Sequence, residues 1–140
     1  MLYIDTSALL PYYRQEPASE QVQALFSAQQ SPVLISRLTK LEVASALARW
    51  VRTRELSEAQ ANRIEAAFFE DCDEGRFMIK ALTVSQFDRA NHWLLARKTT
   101  LRTLDALHLA CAAGNEATLV TLDDALFRAA EYLGLHVRQP

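Results

Sequence analysis

Apolar residues along the chain occur as short runs separated by longer stretches with helical spacing. The short runs predict strands at 2–4, 32–35, 77–79 and 118–120, and a short fifth strand at 136–137. Between these runs, apolar residues recur every three or four positions, which predicts helices. Strands that alternate with helices predict an α/β fold: a central parallel sheet of four to five short strands, flanked by helices on both faces.

Residues that favour helix ends divide the polar stretches. Helix N-terminal caps are predicted at Ser36, Ser57 and Thr103, at either Thr83 or Ser85, and at either Thr121 or Asp123. Helix C-terminal ends are predicted at Gly114 and Gly134. The helices so predicted cover about 8–13, 17–28, 38–53, 58–70, 86–97, 104–113 and 124–133. The pattern contains no repeat and no linker, so residues 1–140 are interpreted as one domain.

Composition narrows the functional classes. The formal net charge is −2, so a strongly basic nucleic-acid-binding protein is not expected, although a local basic patch remains compatible with RNA binding. No apolar run approaches the roughly 20 residues that span a bilayer, and the N-terminus has no basic leader. The two cysteines have no metal-ligand spacing. A cytoplasmic protein without membrane association is therefore expected.

Acidic residues occupy comparable places in three parts of the chain. Asp5 follows the first predicted strand, Asp123 follows the strand at 118–120, and Asp105 lies in the first turn of a helix. Because ligands of an open parallel sheet bind beyond the carboxyl ends of its strands, Asp5 and Asp123 are expected at the same edge. Each acid alone is also typical of a helix cap or first turn, so only the combination indicates a site.

Glu42 lies in the middle of a predicted helix, away from either end. At about 100° per residue, its face also carries Leu38, Val43, Ala46 and Trp50. An acid within an apolar stripe requires a partner. That partner is either a site shared with the other acids or an arginine elsewhere in the fold.

Grouped carboxylates favour a divalent cation. Two carboxylates about 4 Å apart repel by about 4 kcal/mol at an effective dielectric constant of about 20. Three or four together either take up protons or bind a cation. Oxygen ligands favour Mg²⁺ or Mn²⁺ over zinc, and no histidine–cysteine cluster competes for a softer metal. Such a cation activates water and stabilises charge on a phosphate, which makes phosphodiester hydrolysis the expected chemistry.

Four segments resemble the signature blocks of one nuclease family. They are IDTSALL at 4–10, LTKLEVASAL at 38–47, LRTLDALHLACA at 101–112 and LVTLDDALFRAA at 119–130. Their order and spacing, over essentially the whole chain, resemble PIN domains, and in particular the VapC-type toxins of bacterial toxin–antitoxin pairs. The resemblance implies a PIN-like fold and a Mg²⁺- or Mn²⁺-dependent endoribonuclease. It also implies a homodimer held inactive by a cognate antitoxin protein.

The resemblance also implies roles for individual acids. It places the four acids of the family on Asp5, Glu42, Asp105 and Asp123, with Asp124 as the neighbouring alternative to Asp123. Asp5, Asp105 and Asp123 are expected to bind the metal. Glu42 is expected to hold the attacking water and to help deprotonate it.

Small hydroxyl residues accompany these acids. Thr6 and Ser7 either orient Asp5 and nearby water or are ordinary residues of a helix start. Thr121 belongs to the Thr-any-Asp pattern that ends at Asp123, and it is expected to support the site in the same way.

Two further features have open interpretations. The basic residues Arg97, Lys98 and Arg102 either contact RNA phosphates near the metal or complement a helix end within a solvated loop. His108 lies one turn after Asp105 and so resembles a catalytic base. Its apolar neighbours instead predict a packed interior position.

Other functional classes fit less well. A haloacid-dehalogenase-like phosphatase would have a second aspartate two residues after the first, where this chain has Ser7. A receiver domain would need a lysine late in the chain, whereas the last lysine is Lys98 and no suitable strand follows it. The alternative that remains is a non-catalytic PIN-fold module that binds RNA or protein.

Overall fold

A computed structural model describes all residues, 1–140, as five strands and seven helices. In chain order these are β1 (Leu2–Ile4), α1 (Thr6–Tyr13), α2 (Ser19–Ser27), β2 (Val33–Ser36), α3 (Arg37–Arg52), α4 (Glu58–Asp73), β3 (Phe77–Lys80), α5 (Val84–Ala96), α6 (Thr103–Gly114), β4 (Thr118–Val120), α7 (Asp124–Tyr132) and β5 (Val137–Arg138). None of the helices combines the length and apolar character needed to cross a bilayer.

The strands form one parallel sheet in the order β3-β2-β1-β4-β5. The predicted parallel sheet is confirmed, including its fifth strand, which lies at 137–138 rather than 136–137. Strand β1 is central: Tyr3 pairs with Leu34 of β2 on one side and with Leu119 of β4 on the other. The chain runs outward from β1 in both directions, so the strand order reverses beside β1. In open α/β sheets this reversal leaves a crevice at the carboxyl ends of the strands.

Each face of the sheet packs against its own group of helices. Successive side chains of β1 point to opposite faces. Ile4 enters a core formed with α1, α2, α3 and α4, and Tyr3 enters a second core formed with α5, α6 and α7. The predicted helical cover on both faces is therefore confirmed.

Several predicted helix starts are confirmed by their hydrogen bonds. Ser36, Ser57 and Thr83 each accept a backbone N–H in the first turn of the following helix, and Asp123 caps α7. These caps leave few free backbone donors at the sheet edge.

The predicted cap at Thr103 is wrong. Thr103 is the first residue of α6, and the cap position belongs to Arg102. The Arg102 side chain makes no capping bond. Instead its backbone N–H donates to Oδ2 of Asp105 at 3.4 Å. Asp105, in the first turn, thus provides the reciprocal half of a capping box, in which a first-turn acid accepts the N–H of the cap residue.

Candidate active site

The four acids predicted from the sequence come to the carboxyl edge of the sheet on separate elements. Asp5 directly follows β1 and caps α1. Glu42 lies in the second turn of α3, which begins immediately after β2. Asp105 lies in the first turn of α6, and Asp123 caps α7 shortly after β4. The parallel topology thus collects residues that are up to 118 positions apart in the sequence.

Asp5 is held by hydroxyl and backbone donors. The carboxylate is 4% exposed and accepts the backbone N–H of Ala8 at 3.0 Å. Ser7 Oγ donates to it at 2.8 Å, and Thr121 Oγ1 donates to Oδ2 at 2.6 Å. Of the two expectations for Ser7, the geometry matches the one in which its hydroxyl orients Asp5.

The same hydroxyls tie Asp5 to the turn that leads into α7. Ser7 Oγ accepts the backbone N–H of Leu122 at 3.1 Å, and Thr121 Oγ1 accepts that of Asp123 at 3.0 Å. Each hydroxyl has one proton, which it gives to Asp5. The orientation of Asp5 and the position of Asp123 are therefore coupled through two hydroxyl groups.

Burial raises the pKa of Asp5 above its usual range. The electrostatic interaction with His108 and the hydrogen bonds from Thr121, Ala8 and Ser7 lower it, but they only partly offset the burial. An ionised Asp5 is therefore short of positive charge. A cation at this edge would supply that charge.

Glu42 has a different environment. Thr6 Oγ1 donates to its Oε1 at 2.7 Å, so Thr6 serves Glu42 rather than Asp5. His108 Nε2 contacts the same oxygen, and no arginine lies within ion-pair distance of Glu42. Burial raises the pKa of Glu42, but the His108 and Thr6 hydrogen bonds and the His108 charge outweigh it and lower the pKa overall.

Asp105 and Asp123 repel one another. Burial raises the pKa of Asp105, and the negative charge of Asp123 raises it further. The Arg102 N–H and the positive charges of His108 and Arg102 oppose this rise without cancelling it. Oδ1 of Asp123 accepts the N–H of Leu126 at 2.9 Å. This pair of acids is thus close enough to interact and has no salt-bridge partner of its own.

Comparison with known proteins identifies the family of this chain. The profile of the PIN domain family matches residues 2–132. The chain is a PIN domain. Comparison with curated protein sequences gives no match.

Solved structures share the fold at low sequence identity. VapC20 of Mycobacterium tuberculosis, described as a toxin that cleaves the sarcin–ricin loop, has a TM-score of 0.73 and 13% identity over 100% of both chains. VapBC of Salmonella typhimurium, bound to DNA, has a TM-score of 0.74 and 19% identity over 99% of this chain and 98% of that one. VapBC2 of Rickettsia felis, bound to promoter DNA, has a TM-score of 0.72 and 17% identity over 100% and 99%. These likenesses establish the fold.

The donor set of this PIN domain fits a hard divalent cation. Its candidate ligands are carboxylate oxygens, which suit Mg²⁺ or Mn²⁺. No three histidine, cysteine or acidic side chains of the chain already form a compact ligand group. Asp5 and Glu42 instead bind protein donors, and Asp105 bonds to the backbone.

The predicted basic residues lie in the connection between α5 and α6. Arg97 adopts a left-handed conformation, with φ 55°, where it ends α5, and Arg102 precedes α6. Lys98 lines a cleft of about 520 Å³ between this connection and α7. Arg128 and Tyr132 of α7 line the opposite wall, and sequence reasoning missed both residues. Their spacing of four residues places them on one helix face, which is the signal that could have found them.

Sequence reasoning also missed the environment of Glu42. The prediction that His108 packs in the interior is confirmed by its 3% exposure. Its contact with Glu42 was not predicted, nor was the bond of its Nδ1 to the Tyr3 hydroxyl at 2.7 Å. The available signal was the spacing of three residues from Asp105, which places His108 on the same face of α6.

Proposed function

We propose that this PIN domain is a Mg²⁺- or Mn²⁺-dependent endoribonuclease and the toxin of a VapBC-type toxin–antitoxin pair. The proposal is supported by the placement of the four motif acids on elements that begin at the carboxyl edge of the sheet. There, the pKa values of Asp5 and Asp105 are both raised. A divalent cation relieves this electrostatic cost, and phosphodiester hydrolysis uses the same cation.

Asp5, Asp105 and Asp123 are the proposed metal ligands. The cation supplies charge stabilisation for the phosphate and lowers the pKa of the attacking water. Ser7 and Thr121 keep Asp5 oriented, because each donates its hydroxyl proton to that carboxylate. Asp123 is proposed as the ligand in preference to Asp124, since the backbone N–H of Asp123 bonds to Thr121 beside Asp5.

We propose that Glu42 binds the attacking water and accepts its proton. Its lowered pKa keeps it ionised at neutral pH, and only Oε1 is bonded to protein donors. Oε2 therefore remains available to accept a hydrogen bond or a proton from the attacking water. The water oxygen bonds to phosphorus, one P–O ester bond breaks, and the leaving oxygen takes up a proton.

RNA is the proposed substrate, and the cleft beside α7 is its proposed path. One wall of the cleft runs from Lys98 towards Arg102 and Asp105, and the other begins next to Asp123. Cations on both walls suit phosphate groups. Tyr132 is 64% exposed, which leaves its ring available for stacking on a base.

A cognate antitoxin is the proposed regulatory partner. Similar folds occur in the VapBC complexes of Salmonella typhimurium and Rickettsia felis. A cleft of about 400 Å³ between α3 and α4 has an apolar part and a rim of polar and charged side chains, so it offers a surface for an amphipathic antitoxin segment. A homodimer is also proposed, because Val84 and Phe87, one turn apart on α5, are exposed.

The test of the proposed function is a cleavage assay with purified protein. We expect cleavage of single-stranded RNA with Mg²⁺ or Mn²⁺ and none with a chelator. Sequencing of RNA ends after controlled expression should show new internal ends in cells with the wild-type protein. The Asp5→Asn variant should produce none.

The alternative of a non-catalytic module predicts a different result. RNA binding without cleavage at any cation concentration, together with unchanged RNA ends in cells, would contradict the nuclease proposal. Cleavage that persists in the chelator would contradict its metal dependence.

A further inference from the structure

A continuous set of hydrogen bonds reaches Glu42 from the interior of the sheet. His108 Nε2 and Thr6 Oγ1 both contact Glu42 Oε1. On its other side, His108 Nδ1 lies 2.7 Å from the hydroxyl of Tyr3. That hydroxyl donates to Ser36 Oγ at 3.0 Å. The chain of contacts therefore runs from the end of β2, through β1 and α6, to Glu42 on α3.

The inner members of this chain are almost entirely removed from solvent. Tyr3 and Ser36 are 0% exposed, and His108 is 3% exposed. Buried polar groups are costly unless they are paired, and apolar residues would fill the same space without that requirement. No buried side-chain nitrogen or oxygen of the protein lacks a partner, so this network is complete. A complete buried network that ends on a candidate catalytic carboxylate points to a role beyond packing.

The donor and acceptor chemistry fixes the direction of the contact at Glu42. An ionised carboxylate can only accept, so His108 Nε2 must donate. If Nδ1 carries a proton, it donates to Tyr3 while Tyr3 donates to Ser36. If Nδ1 carries none, it accepts the Tyr3 proton, and the Ser36 hydroxyl then donates to Tyr3 instead. Burial raises the pKa of Tyr3, which keeps its hydroxyl protonated in both arrangements. In either case the Nε2 hydrogen points to Glu42.

The position of His108 also relates Glu42 to the other acids. His108 lies on the same face of α6 as Asp105, three residues further along the helix, and its ring contacts Glu42 on α3. His108 and Thr6 together occupy Oε1 and leave Oε2 without a protein donor. A carboxylate held through one oxygen presents the other in a fixed direction.

We propose that His108, itself held by the Tyr3 hydroxyl, is a positioning residue that fixes the Glu42 carboxylate with Oε2 directed to the attacking water. The inference rests on the proposed ribonuclease function. It assigns a role to a histidine that need not touch the RNA or the cation. Removal of a hydrogen bond that orients an active-site side chain typically lowers activity by about 10- to 100-fold.

Three substitutions of His108, which differ in whether the new side chain can donate a hydrogen bond to Glu42, test the proposal. Gln places its amide nitrogen near the position of Nε2, whereas Asn ends near Nδ1 and cannot reach Glu42. His108→Leu and His108→Asn are expected to lower kcat by about 10- to 100-fold. The KM for an RNA oligonucleotide should change little, because the lost interaction acts on the water rather than on RNA binding. His108→Gln should recover most of the lost kcat.

A spectroscopic measurement provides a readout independent of cleavage. In the metal-free wild-type protein, NMR of the ¹⁵N-labelled ring should show a protected, downfield Nε2 proton of His108. Glu42→Ala should remove this signal or shift it strongly. Tyr3→Phe should shift the Nδ1 resonance, leave the Nε2 proton in place and lower kcat by less than His108→Leu.

The outcomes separate this inference from the proposed function. A folded His108→Leu variant with kcat within about twofold of wild type would overturn the positioning role, as would a His108→Gln variant no better than His108→Asn. If the His108 variants do not fold, an Nε2 proton unaffected by Glu42→Ala would overturn it instead. A wild-type protein that cleaves no RNA with any divalent cation refutes the proposed function, whereas the NMR signal still reports the Glu42–His108 bond.

Discussion

The pKa values of the acids are shifted in opposite directions on the two sides of the site. On the Glu42 side, defined by Glu42, Thr6 and His108, hydrogen bonds and a nearby ring lower the pKa of the acid. On the helix-end side, defined by Asp105 and Asp123, burial and mutual repulsion raise the pKa of Asp105. The protein thus stabilises one carboxylate by itself and leaves the other side short of positive charge. This contrast supports the proposal that Glu42 holds the attacking water and that the helix-end side binds the cation.

Asp5 lies between the two sides, and its replacement should have the largest effect. Asp5→Asn keeps the shape and one oxygen, which can still accept from Ala8 and Ser7, but it places a donating NH2 group beside the Thr121 hydroxyl and removes the charge of a proposed ligand. Metal-dependent RNA cleavage should fall by at least about 100-fold, measured as kcat/KM. The exposed acid Asp88 provides the control, since Asp88→Asn should cleave at the wild-type rate. A cleavage rate for Asp5→Asn near that of the control would refute the assignment.

Cation binding should distinguish the two sides by thermal unfolding. A cation at about 100 times its Kd stabilises the folded state by about 2.7 kcal/mol, so Mn²⁺ should raise the Tm of the wild-type protein. Asp105→Asn should lose most of this rise, because it removes a proposed ligand. Glu42→Gln should keep most of it. If the two variants lose the Mn²⁺-dependent rise in Tm equally, the assignment of cation binding to the helix-end side is wrong.

The contributions of Asp105 and Glu42 to the free energy of unfolding should depend on pH with opposite signs. The raised pKa of Asp105 means that the metal-free folded state holds a proton more tightly than the unfolded chain does. Its contribution is present below about pH 4 and is lost as the pH rises through the folded pKa. Asp105→Asn should therefore lessen the decline in stability above about pH 4. Urea unfolding from pH 4 to 7 without metal measures this change.

Glu42 should show the reverse dependence. Its lowered pKa contributes stability above the unfolded value, and this contribution is lost as the pH falls through the folded pKa. Glu42→Gln should therefore lower stability at neutral pH more than at pH 4. The same sign of change in both variants would contradict the electrostatic contrast between the two sides.

The smallest expected effect concerns the cleft beside the helix-end side. Lys98→Ala and Arg128→Ala should each reduce the slope of RNA affinity against salt concentration by about one unit. Arg63, an exposed arginine of α4 outside the cleft, provides the control. A slope that changes equally in Arg63→Ala would show that the cleft has no special part in RNA binding.

The sequence predicted those features that depend on local pattern and strand order. The parallel sheet, the two helical layers and the cap at Asp123 all follow from apolar spacing and helix-end residues. The meeting of Asp5 with Asp123 also follows, since both come after neighbouring parallel strands. Topology alone decides these features, so a sequence pattern can indicate them.

The partners of individual side chains could not be predicted in the same way. Thr6 and Ser7 are adjacent, yet one bonds to Glu42 and the other to Asp5. The α6 cap differed from the prediction because the Asp105 carboxylate takes the Arg102 N–H. His108 was correctly predicted to be buried, but its bond to Glu42 joins residues 66 positions apart. Such contacts depend on the packing of one helix against another, which apolar spacing does not specify.

The most direct test of the central claim is anomalous diffraction from crystals of the wild-type protein grown with Mn²⁺. We predict an anomalous peak at the carboxyl edge of the sheet, about 2.1 Å from carboxylate oxygens of Asp5 and Asp105. The peak should disappear in Asp5→Asn crystals grown in the same way. Crystals that bind Mn²⁺ elsewhere, with no peak beside Asp5 and Asp105, would contradict the claim that these acids form the metal site.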